Sequence, residues 1–280
     1  MIIAVASGKG GTGKTTVAVS LALSIAGKGP VQFLDCDVEE PNAHIFLKPA
    51  IKRSRPVSIP VPQIDESKCN FCGRCAQVCA YNAIAVLKNK VLTFPQLCHG
   101  CGGCSLLCPQ KAIAEVDREI GVVEIGDSDN LEFIHGRLNI GEAMAPPLIR
   151  AVKERIHPEK NVVIDASPGT SCPVIEAVKG SDFCLLVTEP TPFGLHDLIL
   201  AVEALRKLKI PFGVAINRSS LQDKLICDYC NKENISVMMR IPFKREIAVA
   251  YSKGLALIEE CPNLKQQFNS LFEDISRCRH

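Results

Sequence analysis

Ala6-Ser7-Gly8-Lys9-Gly10-Gly11-Thr12-Gly13-Lys14-Thr15-Thr16 follows the apolar run Met1-Ile2-Ile3-Ala4-Val5 and precedes a segment, Thr15 to Gly27, whose Val17, Leu21, Ala22 and Ile25 recur at helical spacing. Strand, glycine-rich loop and helix in that order form a phosphate-binding loop. Its glycines let successive backbone N–H groups converge on phosphate oxygens, and the helix adds its positive N-terminal end. The residues from Gly8 to Thr16 (Gly8, Lys9, Gly10, Gly11, Thr12, Gly13, Lys14, Thr15 and Thr16) are therefore expected to line a nucleotide. Lys14 would reach the β- and γ-phosphates, and the Thr15 hydroxyl would bind Mg²⁺.

Working outward, Val31-Gln32-Phe33-Leu34 reads as a short buried strand ending in Asp35-Cys36-Asp37. Pro49, Pro56, Pro60 and Pro62 then read as breakers of regular structure, the signature of a linker. After about residue 119 strands and helices alternate again: a helix over Pro147–Ile156, a strand Val162-Val163-Ile164-Asp165, a strand over Cys184–Val187, a helix near His196–Leu208 and a strand over Phe212–Asn217. This alternation predicts an α/β fold with a mostly parallel, doubly wound sheet and ligands at its carboxyl edge.

Between the two stretches lies a cysteine-rich segment. Cys69, Cys72, Cys75 and Cys79 are followed, each by 29 residues, by Cys98, Cys101, Cys104 and Cys108, and Ala83-Ile84 recurs as Ala112-Ile113. A duplicated Cys-x-x-Cys-x-x-Cys-x-x-x-Cys run is the spacing that holds two [4Fe-4S] clusters. The thiols are too crowded for the usual paired-knuckle zinc site, and the odd total of 15 cysteines suits no complete disulfide framework. The expected division is residues 1–62, first part of a P-loop ATPase domain; 63–118, an inserted small α+β cluster domain; and 119–280, the second part.

A formal net charge of +2 gives no reason to expect a nucleic-acid partner. No apolar run approaches the roughly 18–20 residues of a membrane-spanning helix. The N-terminus reads as a buried strand without a secretion signal, so a cytoplasmic location is expected. Leu264, Phe268, Leu271, Phe272 and Ile275 form an apolar stripe near the C-terminus, flanked by Glu273 and Asp274 rather than a basic face, so packing on the sheet is expected instead of stable membrane association.

The loop Lys9-Gly10-Gly11-Thr12-Gly13-Lys14-Thr15-Thr16 resembles the deviant Walker motif of the MinD/ParA/Mrp and nitrogenase iron-protein superfamily. The resemblance implies an ATP-binding dimer, with itself or with a related ATPase, in which Lys9 reaches the partner's nucleotide, a role comparable to an arginine finger. It further implies that Asp37 positions the attacking water, that Asp165, in Asp165-Ala166-Ser167-Pro168-Gly169-Thr170, acts on Mg²⁺, and that Asn217 and Pro242, the latter in Ile241-Pro242-Phe243, flank the adenine. Lys9, Lys14, Asp37 and Asp165 are thus the catalytic candidates. Residues 63–118 resemble a bacterial two-cluster ferredoxin, in which the fourth cysteine of each run crosses over. That implies Cys69, Cys72, Cys75 and Cys108 on one cluster and Cys98, Cys101, Cys104 and Cys79 on the other. The combination, with His135-Gly136-Arg137-Leu138 through Gly141–Pro147, is similar to a prokaryotic family found chiefly in anaerobes.

Three functions are implied: an ATP-driven switch gating electron transfer to a redox partner, a factor delivering clusters to apo-metalloproteins, or a MinD/ParA-like spatial organiser with redox-sensing clusters. Cys227 and Cys230 match the position of a cluster-bridging pair in Mrp-type carriers. They lie, however, in Leu221–Glu233, a predicted helix in which residues three apart share a face, so an ordinary helix is expected there. Cys36, Cys172, Cys184, Cys261 and Cys278 have no mutual spacing and read as small buried apolar residues.

Overall fold

A computed structural model describes residues 1–278. The chain runs β1 (Ile2–Ala6), α1 (Lys14–Ala26), β2 (Val31–Cys36), α2 (Ala43–Leu47) and β3 (Ala50–Ile64). There follow α3 (Arg74–Val78), β4 (Ile84–Leu87), β5 (Lys90–Thr93), α4 (Gly103–Leu106), β6 (Ile113–Ser128), β7 (Leu131–Leu138) and α5 (Ala145–Lys153). The remainder is β8 (Asn161–Ala166), α6 (Cys172–Val178), β9 (Phe183–Thr188), α7 (Pro192–Leu208), β10 (Phe212–Ser219), α8 (Lys224–Lys232), β11 (Val237–Pro242), α9 (Arg245–Ser252), α10 (Leu257–Glu260) and α11 (Pro262–Arg277).

Nine strands form one sheet in the order β11-β10-β9-β1-β8-β2-β7-β6-β3. The seven from β11 to β7 are parallel, as the strand–helix alternation predicts. β2 and β9 are buried along their whole length, because helices cover both faces. Alternate residues of each strand serve opposite layers: Ile3, Val5 and Phe33 pack with α1 and α11, whereas Ala4, Ala6 and Leu34 pack with α5, α6 and α7. In α11, Leu264, Phe268, Leu271 and Ile275 are buried in the first of these layers. No helix among the described residues is long and apolar enough to cross a membrane.

The proline-rich exit from β2 is regular structure, contrary to the linker expectation. β3 is the edge strand and pairs antiparallel with β6 from Ala50↔Asp127 to Ile64↔Ile113. Pro56, Pro60 and Pro62 fall on alternate positions of one edge of this strand, where an absent N–H removes no ladder bond. Proline at an edge also blocks pairing with another sheet.

β6 meets the body at Gly121↔Leu138, the carboxyl end of β7. Residues before Gly121 therefore extend past the carboxyl edge of the sheet, paired with Ser58–Ile64. At about 3.4 Å per residue this ribbon overhangs by roughly 24 Å, and residues 65–112 sit at its tip. There the β4–β5 hairpin forms its own two-stranded sheet, flanked by α3 and α4.

If the C-terminal stripe serves the core, Phe268→Ala will cost about 3–5 kcal/mol of unfolding free energy, the usual effect of emptying a buried phenylalanine site. Urea titration measures it; a loss under about 1 kcal/mol would show that α11 is not packed on the sheet.

Candidate functional site

The phosphate loop leaves β1 at Ser7 and enters α1 at Lys14. Two of its glycines are sterically required. A Cβ on Gly8 would lie 2.2 Å from the Asp197 carbonyl oxygen of α7, and one on Gly13 would lie 2.3 Å from Asn217 Nδ2. Gly13 also has φ of 86°, a left-handed conformation that β-carbon-bearing residues disfavour. The loop thus packs directly on α7 and on the end of β10.

Lys14 opens α1 and is buried at 6 % exposure. Its ammonium lies 2.5 Å from Asp165 Oδ1 and 3.5 Å from Asp37 Oδ2, with the Thr15 hydroxyl at 3.4 Å. The loop lysine and the acids ending β2 and β8 therefore meet at one point, although 151 residues separate Lys14 from Asp165. Burial works to lower the Lys14 pKa, but the carboxylates of Asp165 and Asp37 outweigh it and hold the ammonium above its ordinary value. Asp165 Oδ2 and Thr12 Oγ1 are buried without a hydrogen-bond partner. An orphaned carboxylate oxygen at the end of β8 and an orphaned hydroxyl in the glycine-rich loop fit a divalent cation and a phosphate.

Asp35 lies beside Asp165 in the ladder and is fully buried. Its oxygens accept from the Asp37 and Ala43 N–H groups, each at 3.1 Å. Burial, reinforced by the Asp165 charge, pushes its pKa up to about 8. Burial likewise raises Asp37 to about 6, with the Lys14 ammonium opposing. The same desolvation pushes the Cys36 thiol between them far up, so it is not a thiolate.

Lys9 turns away from this centre. Its ammonium pairs with Glu189 of the same chain, and Glu189 also accepts from Arg218 Nη1 at 2.9 Å. Arg218 in turn donates to the Gly11 carbonyl at 3.3 Å. Sequence reading missed Glu189 and Arg218, since an acid just before Pro190-Thr191-Pro192 reads as a helix approach. The signal was that the acid ends a buried strand at the carboxyl edge, as Asp37 and Asp165 do.

Asn217 donates from Nδ2 to the Thr12 carbonyl at 2.8 Å and accepts at Oδ1 from the Arg218 N–H. Asn217 and Pro242 line the same cleft as Gly10–Thr16 and Asp37, together with Phe243, Ile247 and Tyr251. The cleft joins the polar phosphate loop to apolar side chains of Pro242, Phe243, Ile247 and Tyr251, the composition of a nucleotide site.

The cysteine runs build two further cavities. Cys69, Cys72, Cys75 and Cys108 line one, with Asn70, Phe71, Gln110 and Ile113 among their neighbours. Cys98, Cys101, Cys104 and Cys79 line the other, with Pro60, Tyr81, His99 and Glu115. Each cavity thus takes three thiols from one run and the fourth from the other. The backbone repeats as the sequence does. Positive φ recurs at Phe71 and Gly100, Gly73 and Gly102, and Asn82 and Lys111. These turns aim N–H groups at sulfur: Phe71 to Cys69 and Gly100 to Cys98 at 3.4 Å, Ala83 to Cys79 at 3.2 Å, Ala112 to Cys108 at 3.3 Å. All fifteen cysteines are free. Cys36 and Cys184 are buried as expected, but Cys172 and Cys278 are exposed and Cys261 is half-buried, because these three stand at helix ends and not within core strands. Among the described residues no three His, Cys, Asp or Glu side chains converge as a single metal ion requires. Cys230 is buried in α8 and Cys227 packs against the same core, the ordinary helix expected.

The acids give a pH test. Asp35 holds its proton up to about pH 8 when folded, against about 3.9 in an unfolded chain. Between those values the native state binds the extra proton, so this group's contribution to stability falls as pH rises. In urea titrations from pH 5 to 8, Asp35→Asn will flatten that decline relative to the parent chain. Parallel slopes would show that Asp35 is ionised throughout.

A sequence profile of the CobQ/CobB/MinD/ParA nucleotide binding domain matches residues 3–258. Two uncharacterized proteins of Methanocaldococcus jannaschii are similar over their length: one is 31 % identical over 270 residues, covering 92 % of each chain, and the other 30 % identical over 279 residues, covering 98 % of this chain and 96 % of that one. An iron-sulfur cluster carrier protein of Synechocystis is 53 % identical over only 47 residues, 16 % of this chain and 13 % of its own. Among solved structures, the septum site-determining protein MinD of Pyrococcus horikoshii, complexed with Mg-ADP, superposes with a TM-score of 0.59 at 18 % identity, over 98 % of this chain and 95 % of that one. McdA of Cyanothece in complex with ATP gives 0.60 at 17 %, over 98 % and 96 %. At those identities the likeness is one of fold. The profile match spans both sides of the cysteine segment and takes in the loop, the strand-end acids and Asn217: the chain belongs to the CobQ/CobB/MinD/ParA nucleotide-binding family.

Proposed function

We propose that the protein is an ATP-hydrolysing dimeric switch whose cycle is coupled to two [4Fe-4S] clusters in a ferredoxin-like insertion at residues 63–118, and that it gates electron transfer to a redox partner. The observation that carries this reading is the crossing of Cys79 and Cys108 between the two cysteine cavities, the ligand exchange of two-cluster ferredoxins. Four thiols around a cavity suit a cube with one thiolate per iron. N–H groups directed at sulfur stabilise the charge such a cluster carries. Bound there, the clusters supply one-electron storage.

At the nucleotide the chain's own groups divide the work. Backbone N–H groups of Gly10–Thr15 and the Lys14 ammonium hold the phosphates, and Thr15 with Asp165 holds Mg²⁺. Asp37, whose pKa of about 6 leaves it mostly ionised at neutral pH, orients the attacking water and is suited to take its proton. Incoming phosphate competes with Asp165 and Asp37 for Lys14, so binding rearranges both strand-end acids. Asn217 and Pro242 flank the base.

Lys9 reaches a second copy, or a related chain, only by leaving Glu189. Their contact belongs to the open state, so Glu189→Gln will favour closure. A charge-assisted bond at this partly exposed site is worth about 1–2 kcal/mol after screening. Dimerisation with a non-hydrolysable ATP analogue will strengthen roughly 5–30-fold, read by analytical ultracentrifugation. An unchanged constant would remove the trans role of Lys9.

The central test is anaerobic purification with iron quantitation and ATPase assay on one sample. About eight irons per chain are expected for two four-iron clusters. Lys14→Ala will abolish hydrolysis while leaving the iron in place. Zinc instead of iron, or no metal, would end the cluster reading.

The short match to a cluster carrier favours a second reading, delivery of clusters to apo-metalloproteins. It predicts transfer of iron to an acceptor that is faster with ATP.

A further inference from the structure

The two cysteine cavities are equivalent in sequence but not in position. The cavity of Cys79, Cys98, Cys101 and Cys104 rests on the ribbon, lined by Pro60 and Pro62 of β3 and Glu115 of β6. The other is reached only by the ribbon's last residues, Ile64 and Ile113. The first cavity is therefore the inner one, nearer the sheet. Its contacts with the ribbon are close: Gly100 leaves room for a Cβ only 3.2 Å from the Pro60 ring and carbonyl. Ser105 donates to Glu115 at 3.0 Å. Cys98 packs against the main apolar core, which includes Ile59, Val61 and Ile120 of the ribbon.

The root of the ribbon is bonded to the nucleotide site. Val38 follows Asp37, and its carbonyl accepts from Leu138 N–H at 2.9 Å. The next residue, Asn139, donates from its N–H to the Ile120 carbonyl of β6 at 2.9 Å. Val38 has no slack, since a Cβ on Gly136 would lie 2.6 Å from its Cγ1. Arg118 of the ribbon is held by Glu142 of the following turn at 2.5 Å. A continuous set of backbone bonds and tight packing thus runs from Asp37 through Val38, Leu138 and Ile120 to Glu115 and Cys98.

We infer that the inner cysteine site, and not the outer one, responds to the state of the nucleotide. This rests on the cluster reading above. Asp37 shifts when phosphate draws Lys14 from it, Val38 carries that shift to the ribbon root, and the ribbon changes the setting of Cys98 and Gly100. The outer cavity touches only the ribbon's tip and keeps its surroundings. Linkage requires reciprocity: reduction of the inner cluster changes nucleotide affinity by the same factor that nucleotide changes the inner cluster's redox equilibrium.

The test is an anaerobic redox titration of the full chain by electron paramagnetic resonance, with no nucleotide, with ADP and with a non-hydrolysable ATP analogue. Cys72→Ser and Cys101→Ser each mark one cluster, identifying the outer and inner signals. A coupling of about tenfold lies within the usual range for linked sites. It would move the inner midpoint by about 59 mV for one electron and leave the outer midpoint in place. Nucleotide affinity would differ by the same factor between oxidised and reduced protein. Glu142→Gln, which loosens the ribbon root, would keep both clusters and shrink the inner shift. Equal shifts of both clusters, a shift of the outer alone, or no shift in iron-loaded protein would overturn the inference and leave the cluster reading standing. Absence of iron would overturn both.

Discussion

The ion pair between Lys14 and Asp165 is the constraint on which the carboxyl edge of this sheet depends. An ammonium buried to this extent is tolerable only with an opposite charge in contact, because desolvating an unpaired ion costs several kcal/mol. Asp165 supplies that charge from the neighbouring strand, and Asp37 adds a second carboxylate. Three acids within reach of one cation leave an excess of negative charge, and the chain relieves it by keeping Asp35 protonated. The site is thereby arranged for phosphate and a divalent cation: one brings charge that Lys14 can bind, the other neutralises the acids that Lys14 leaves.

The cysteine segment is governed by a different constraint, the need to bring eight thiols round two cavities in fewer than fifty residues. Backbone turns meet it more than side-chain packing does. Left-handed residues recur at matching places in both halves, and the turns they make point the N–H groups of Phe71, Ala83, Gly100 and Ala112 at sulfur. Glycine takes three of these positions, Gly73, Gly100 and Gly102, whereas Phe71, the counterpart of Gly100, adopts the same conformation with a side chain, at φ of 55°. The halves also differ beyond glycine. Tyr81 stacks on His99, with ring centroids 3.4 Å apart, at the inner cavity, where the outer cavity has Gln110 and Asn70. Duplicated spacing thus produced two sites with the same thiols and different surroundings.

The antiparallel ribbon joins these two systems. It lengthens the sheet at the edge farthest from β11 and then leaves it at the carboxyl side, where nucleotide chemistry belongs. The cysteine cavities therefore stand over the same edge as the phosphate loop, on strands four and five places from β1 in the sheet order, roughly 19–24 Å away. A two-stranded ribbon anchored by backbone bonds at its root transmits displacement better than a free linker does.

The sequence by itself determined the phosphate loop, the acids at the ends of β2 and β8, and the paired cysteine runs. Each is encoded locally: glycines fix the backbone of a loop, an acid after a buried apolar run marks a strand end, and cysteine spacing sets which turns bring sulfur inward. Only the tertiary structure decided that Glu189 takes up both Lys9 and Arg218, that Asp35 is sealed beside Asp165, and that the proline-rich stretch is a strand. Proline signals only that an N–H is dispensable, which a linker and a sheet edge satisfy equally. The choice between them came from pairing Ala50 with Asp127 and Ile64 with Ile113, contacts across a long stretch of chain that leave no local trace.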